Sequence, residues 1–124
     1  MGCKKEGPKE VSKDYSGSYS FTTIITQNMG YPDTTILYDG SIMYDDLTKI
    51  LKIDFNPRFS PIFPMVDNKG ILTYPELVNS QLGWFFSGNT DDYGNINFIL
   101  QQTISHHGVD YITSYIVKGK KKQE

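Results

Sequence analysis

The sequence contains no alanine, and this absence constrains the fold more than any other feature of the 124 residues. Alanine is the best helix former, whereas β-branched and aromatic residues prefer a pleated, half-buried surface. Twenty-eight residues are Ile, Thr or Val, and seventeen are Tyr, Phe or Trp. This composition excludes a helical bundle and a coiled coil, and an apolar content of 38% excludes a wholly disordered chain. We therefore expect one all-β domain.

Alternating apolar and polar side chains mark the strands, and turn-forming residues separate them. The pattern predicts strands at about 18–27, 34–44, 49–55, 70–74, 82–88, 94–104 and 109–118. Pro75 favours a single helical turn over residues 75–79, and no longer helix is expected. Seven or eight short antiparallel strands joined by hairpins predict a closed meander barrel, with a β-sandwich as the alternative.

The segment from Thr34 to Tyr44 has two interpretations. Asp39-Gly40 is a strong signal for a two-residue hairpin turn. A continuous strand instead places Ile36, Tyr38, Gly40, Ile42 and Tyr44 on one face. We favour the continuous strand because its apolar face is cleaner, and Gly40 then marks a bulge or a bend.

Charge is unevenly distributed along the chain. Residues 15–117 carry four basic residues against ten acids, a net charge of −6, whereas both ends are basic. An acidic body is a poor match for nucleic acid, so we expect no nucleic-acid partner. We divide the chain into a disordered tether at 1–14, a single β-domain at 15–119 and a basic disordered tail at 120–124.

Cys3 is the only cysteine, so an intramolecular disulfide is excluded. Gly2-Cys3 matches the junction at which a bacterial lipoprotein is cleaved and lipidated, and a polar tether follows it. Myristoylation at Gly2 with palmitoylation of Cys3 is an alternative, weakened because Glu6 replaces the preferred Ser or Thr. A cysteine without any modification is the third interpretation. We expect lipid attachment at Cys3.

Several short motifs together suggest a family: the Cys3-Lys-Lys start, Tyr15–Phe21, Tyr38–Ile42, Phe86–Phe98 and Tyr115–Lys120. On these motifs the chain resembles the small surface or periplasmic lipoproteins common in Bacteroidetes, some of them described as lipocalin-like. The resemblance implies a lipid-anchored β-domain of the cell envelope, on the periplasmic or surface face of the outer membrane. It implies no catalytic residues.

Candidates for catalysis or metal binding are weak. His106 and His107 are adjacent in a predicted hairpin turn, and zinc requires three or four ligands. Residues 89–94 superficially resemble a calcium loop, but Leu100 stands where that loop needs a carboxylate. We therefore predict a non-enzymatic protein with no catalytic residue, no metal and no cofactor.

Aromatic side chains are the remaining candidates for a binding site. Phe59 and Phe63 lie in a proline-rich segment, and Trp84 and Phe86 lie on one predicted strand. The segment at 56–66 either covers the barrel mouth as a lid, with Trp84 or Phe86 lining a pocket, or simply packs onto the barrel end. Large inward rings leave little free volume, which favours a filled barrel.

These observations predict a non-enzymatic, lipid-anchored binding or interaction domain of the cell envelope, whose ligand or protein partner the sequence does not identify. One alternative is a small hydrophobic ligand carrier of lipocalin type. Another is an enzyme inhibitor that acts through the hairpin loops at 105–108 or 89–94.

Overall fold

The computed structural model describes residues 15–74 and 83–122, and within these ranges the chain is all-β. The eight strands are β1 (Gly17–Gln27), β2 (Thr34–Asp45), β3 (Ile50–Asp54), β4 (Met65–Val66), β5 (Ile71–Thr73), β6 (Trp84–Thr90), β7 (Ile96–His106) and β8 (Val109–Lys121). The predicted tether with Cys3 and the predicted helical turn at 75–79 lie outside the described residues.

The strands form a closed antiparallel barrel in chain order, which confirms the predicted meander barrel over the sandwich. Each strand pairs with the next, and β8 pairs with β1 to complete the closure. The closing seam runs from Tyr19 opposite Lys121 to Gln27 opposite Thr113. In the described ranges no helix is long and apolar enough to cross a bilayer.

β2 is one continuous strand, so Asp39-Gly40 is not a turn. Gly40 lies opposite Tyr19, whose side chain is buried inside the barrel. A Cβ on Gly40 would collide with the carbonyl oxygen of Asp54. The chain therefore passes over the inner side of Gly40 as it leaves β3, and only glycine leaves room for it.

One half of the barrel is filled with apolar side chains, and we call it the packed half. It contains the first half of β1, the second half of β2 and the second half of β8. Its fully buried side chains include Tyr19, Phe21, Ile42, Leu51, Ile53, Ile96, Phe98 and Val117. Inward positions alternate with outward ones along each strand, as the sequence pattern predicted.

Strand length is uneven around the barrel. β1, β2, β7 and β8 have 11 to 13 residues, whereas β3, β4 and β5 have between two and five. The long strands extend beyond the short ones in one direction only, because all eight strands meet in the packed half. We call the extended part the distal half.

The basic tail begins later than residue 120, which corrects the predicted boundary. β8 continues to Lys121, with Lys120 opposite Ser20 and Lys121 opposite Tyr19. The Lys122 N–H then donates to the Ser18 carbonyl at 2.9 Å. Lys118 and Lys120 are exposed on the outer face while Val117 and Gly119 are buried, so the lysine-rich end is an alternating strand.

Candidate functional site

A layer of aromatic rings crosses the interior where the packed half ends. Tyr115 contacts Phe59 edge to face with centroids 4.9 Å apart, and Phe59 stacks on Phe55 at 5.4 Å. Phe55 contacts Phe98 at 5.1 Å, and Phe98 continues to Phe86 at 5.7 Å. Such pairs stabilise a core beyond the area they bury. We call these five residues the ring layer.

The first part of the proline-rich segment folds into the barrel. Phe55 and Asn56 are fully buried, and Phe59 packs half-buried against the core. The Asn56 side-chain oxygen accepts the Arg58 N–H at 2.9 Å, which closes the turn. Phe59 is therefore an internal packing residue, as expected if the segment packs onto the barrel end.

The other aromatic candidates lie in three different environments. Phe86 is 8% exposed and belongs to the ring layer. Phe63 is 44% exposed and lies next to the inward-facing Ile62, so it is on the outer face. Trp84 is half-buried and packs against the core cluster from the first position of β6. The structure therefore does not bring Phe63 together with Trp84 and Phe86.

Beyond the ring layer the inner wall changes character. Its inward positions carry Ile25, Ile36, Trp84, Gln102, Tyr111 and Thr113, all half-buried. Trp84 lies opposite Gln102, and Gln102 lies opposite Thr113, so the surface is continuous from β6 to β8. We call these six residues the distal inner face. It combines an indole ring and aliphatic side chains with an amide and two hydroxyl groups.

Thr23 lies at the border between the ring layer and the distal inner face. It follows Phe21 on the inner side of β1, opposite Ile36 on β2 and Val117 on β8. The side chain is 0% exposed, and its Oγ1 has no hydrogen-bond partner in the structure. A buried hydroxyl without a partner costs free energy, and few proteins retain one without a reason.

The distal inner face carries no charged side chain among the described residues. Asp54, on β3, accepts a hydrogen bond from the Tyr38 hydroxyl at 3.2 Å. This hydrogen bond raises the pKa of Tyr38 above its usual value, so Tyr38 is a neutral phenol at physiological pH. The chemistry of the surface fits an uncharged ligand with an apolar ring or chain and a few oxygen or nitrogen atoms.

The two histidines lie at an exposed hairpin at the distal end, His106 as the last residue of β7 and His107 in the turn. Their rings contact each other edge to face at 4.0 Å, and His107 has a φ of 52°. Next to them the Ser105 hydroxyl donates to Asp110. In a catalytic triad a histidine lies between the serine and the carboxylate, whereas here the Ser105 hydroxyl donates its hydrogen bond directly to Asp110. This cluster, which sequence reasoning missed, is not a catalytic triad.

The turn at 91–95 is stabilised by its own aspartate. The Asp91 carboxylate accepts hydrogen bonds from the Tyr93 N–H at 2.8 Å, from the Asn95 N–H at 3.0 Å and from the Asn95 side chain at 3.0 Å. These bonds make the segment a capped turn, as the sequence suggested against a calcium loop. Across residues 15–74 and 83–122, no group of three or more His, Cys, Asp or Glu is placed to hold a metal ion.

The two hairpin loops considered for an inhibitor lie at opposite ends of the barrel. The loop after β6 connects to β7 in the packed half, whereas the loop after β7 connects to β8 at the distal end. One partner of ordinary size would therefore contact one loop or the other.

The outer wall offers a second surface. Outward side chains of β6, β7 and β8 surround an open depression of about 370 Å³. Its rim combines Ser87, Asn89, Asn97, Ile99 and Ile116. None of the described residues that line this depression has a buried polar atom without a hydrogen-bond partner, as Thr23 has.

Sequence reasoning identified Trp84 but missed Thr23, Gln102, Tyr111 and Thr113 as a group. One signal was available, because Gln102 and Thr113 occupy positions where the alternation of β7 and β8 predicts inward side chains. Polar residues at inward positions indicate an interior that is not a simple core.

No family model, curated protein or solved structure matches this chain.

Proposed function

We propose that this protein is a non-enzymatic binding domain of the cell envelope, anchored by a lipid on Cys3, and that the distal inner face binds its ligand. The carrying observation is the buried Thr23 hydroxyl without a partner at the base of a mixed polar and apolar wall. A ligand that accepts a hydrogen bond from Thr23 would remove the cost of that buried donor.

Because side chains already fill the packed half, we propose one small ligand and not a large one. Phe55 and Phe98 in the ring layer, and Tyr19 and Phe21 in the packed half, are at most 2% exposed and leave this part of the barrel filled. An eight-stranded barrel is just wide enough to be filled by side chains or to hold one small ligand. The proposed ligand therefore binds on the distal side of Phe59.

The side chains of the distal inner face indicate the class of ligand that we propose. Trp84 provides a flat surface for a ring, and Ile25 and Ile36 provide aliphatic contacts. Gln102 and Thr113 can both donate and accept hydrogen bonds. An uncharged amphipathic molecule satisfies all of them, and this ligand is more polar than one that a purely hydrophobic carrier would take.

Binding is tested with the full chain and N-phenyl-1-naphthylamine, a neutral fluorophore in which one N–H joins a naphthalene to a phenyl group. Because Trp84 is the only tryptophan, its emission reports directly on the distal half. We expect saturable quenching of Trp84 with energy transfer to the bound probe. A linear, non-saturating response would contradict the proposal.

A matched pair of variants locates the site. Trp84→Leu removes the ring from the distal inner face, whereas Phe85→Leu changes the adjacent residue, which is 52% exposed on the outer face. Probe fluorescence should show at least tenfold weaker binding for Trp84→Leu and unchanged binding for Phe85→Leu. Equal loss in both would place the probe elsewhere.

The anchor is tested separately. Mass spectrometry of the protein isolated from membranes of its native cell should find a lipid-modified cysteine at the mature N-terminus. Cys3→Ser should release the protein into the soluble fraction. An unmodified Cys3 would contradict the anchor and leave the binding test unaffected.

A further inference from the structure

Within the part of the chain that the structure describes, one edge of β2 is unpaired over its first seven residues. On the β1 side it is paired from Thr34 to Ile42. On the β3 side it is paired only from Ser41 to Asp45, because β3 is short. Over residues 34–40 the strand therefore has one neighbour among residues 15–74 and 83–122.

The direction of the backbone groups on this edge follows from the alternation in an antiparallel ladder. The bond from Lys122 N–H to the Ser18 carbonyl orients the even-numbered residues of β1 toward β8. The odd-numbered residues of β1 then face β2, where their partners are even-numbered. Consequently Thr35, Leu37 and Asp39 direct their N–H and C=O groups away from β1. None of these groups has a backbone hydrogen bond to a described residue.

The side chains on this edge are unusual for an isolated edge strand. Leu37 lies at the centre of the edge and is 76% exposed. Asp39 is the only charged residue of the segment, and it forms an ion pair with Lys122 at 3.1 Å. Natural edge strands normally carry lysine, proline or a bulge that prevents pairing, and residues 34–38 have none of these.

We propose that this edge pairs with the same edge of a second copy of the chain, antiparallel and with the two-fold axis at Leu37. In that register Leu37 faces Leu37 of the other copy, and Thr35 faces Asp39. Three residues on each chain provide one N–H and one C=O each, so six hydrogen bonds form across the axis. No like charges face each other.

Self-complementarity selects a second copy over an unrelated extended peptide. Any peptide can satisfy the backbone groups, but the Leu37 pair buries two exposed leucines together. On the inner side the same register places Ile36 against Tyr38, which joins two half-buried apolar positions. The contact is small, so we expect a weak, concentration-dependent dimer.

Charge substitution at the axis provides the first test. In sedimentation experiments on the full chain, Leu37→Lys and Leu37→Glu should each be monomeric, because like charges meet at the axis. An equimolar mixture of the two should recover the dimer. As controls, Leu47→Lys and Leu47→Glu change a 93% exposed leucine in the turn after β2 and should dimerise like the wild type. A wild type that stays monomeric up to about 1 mM, or a mixture that does not recover, would overturn the proposal.

Disulfide trapping tests the register. Hydrogen-bonded antiparallel partners have Cα atoms about 5.5 Å apart, within the range of about 4.4–6.8 Å that a disulfide spans. In a Cys3→Ser background, Leu37→Cys should cross-link on mild oxidation. Thr35→Cys alone should not, since its copies would be about 14 Å apart. Thr35→Cys mixed with Asp39→Cys should cross-link again. Cross-linking of Thr35→Cys alone would contradict the register.

Discussion

Gly119 lies directly opposite Phe21 across the seam that closes the barrel, and the phenyl ring occupies the space that a side chain on Gly119 would need. A Cβ built there would lie 2.6 Å from Cε1 of Phe21 and 2.7 Å from Cγ2 of Ile96. Both neighbours are fully buried, so neither can move away freely.

Gly119→Ala should therefore destabilise the protein by about 1–3 kcal/mol, the usual cost of overpacking a core. Chemical denaturation of the full chain measures the change. The double variant Gly119→Ala with Phe21→Leu should be more stable than the sum of the two single changes predicts, because the smaller side chain accepts the methyl group. Strict additivity would contradict the steric explanation.

His107→Asn should stabilise the protein by about 1 kcal/mol. His107 and Gly108 form the two-residue turn between β7 and β8, and both have positive φ, 52° and 77°. This is a type I′ turn, in which Asn-Gly is preferred because asparagine tolerates the left-handed conformation. Thermal unfolding tests the gain. His106→Asn is the matched control, since His106 belongs to the strand, and a gain of the same size there would contradict the turn explanation.

Thr23→Val should raise the stability of the free protein by about 1 kcal/mol, because it replaces a buried hydroxyl without a partner by a methyl group of similar shape. If the Thr23 hydroxyl oxygen also accepts a hydrogen bond from the N–H of N-phenyl-1-naphthylamine, the same variant should bind this probe less tightly. Thr22→Val, on the outer side of the same strand, should change neither quantity by much. A destabilised Thr23→Val would show that the hydroxyl has a partner.

Acid should weaken the turn between β4 and β5. The Asp67 carboxylate accepts backbone hydrogen bonds from Ile71 at 2.9 Å and from Lys69 at 2.8 Å. These bonds, above all that from Ile71, lower the pKa of Asp67 below its ordinary 3.8. A carboxyl group with a lowered folded-state pKa stabilises the fold above 3.8, and this contribution is lost as the pH falls through the folded value.

Asp67→Asn keeps an acceptor oxygen but does not ionise in this range. The free energy of unfolding of this variant should therefore depend less on pH below about 4 than that of the wild type. Asp33→Asn provides the control for the change in net charge, because Asp33 lies in the exposed segment before β2. If Asp67→Asn follows the same acid curve as the wild type, the hydrogen bonds do not stabilise the charged form.

Local alternation was sufficient to predict most of the fold. Tyr19, Phe21 and Thr23 on β1, and Phe98 and Leu100 on β7, all lie inside the barrel as the period of two requires. The same reasoning chose a continuous β2, because a turn at Gly40 would have broken its apolar face.

The interior of the distal half was harder to predict because it depends on contacts between distant residues. Phe59 points inward and Phe63 outward, although both lie in one proline-rich segment. The chain folds inward after Asp54, next to Gly40, and returns to pair Ile62 with Ile53 before Phe63. No sequence period records this path. The end of β8 was missed for another reason, since the run of lysines concealed the alternation that Val117 and Gly119 continue.

The seam between β1 and β8 joins the first described strand of the chain to the last. Tyr19 and Lys121 are partners although a hundred residues of chain separate them, so this pairing closes the longest loop in the molecule. During synthesis the seam cannot form until the C-terminal residues have left the ribosome. Until then β1 keeps an unpaired edge, which is open to pairing with another chain.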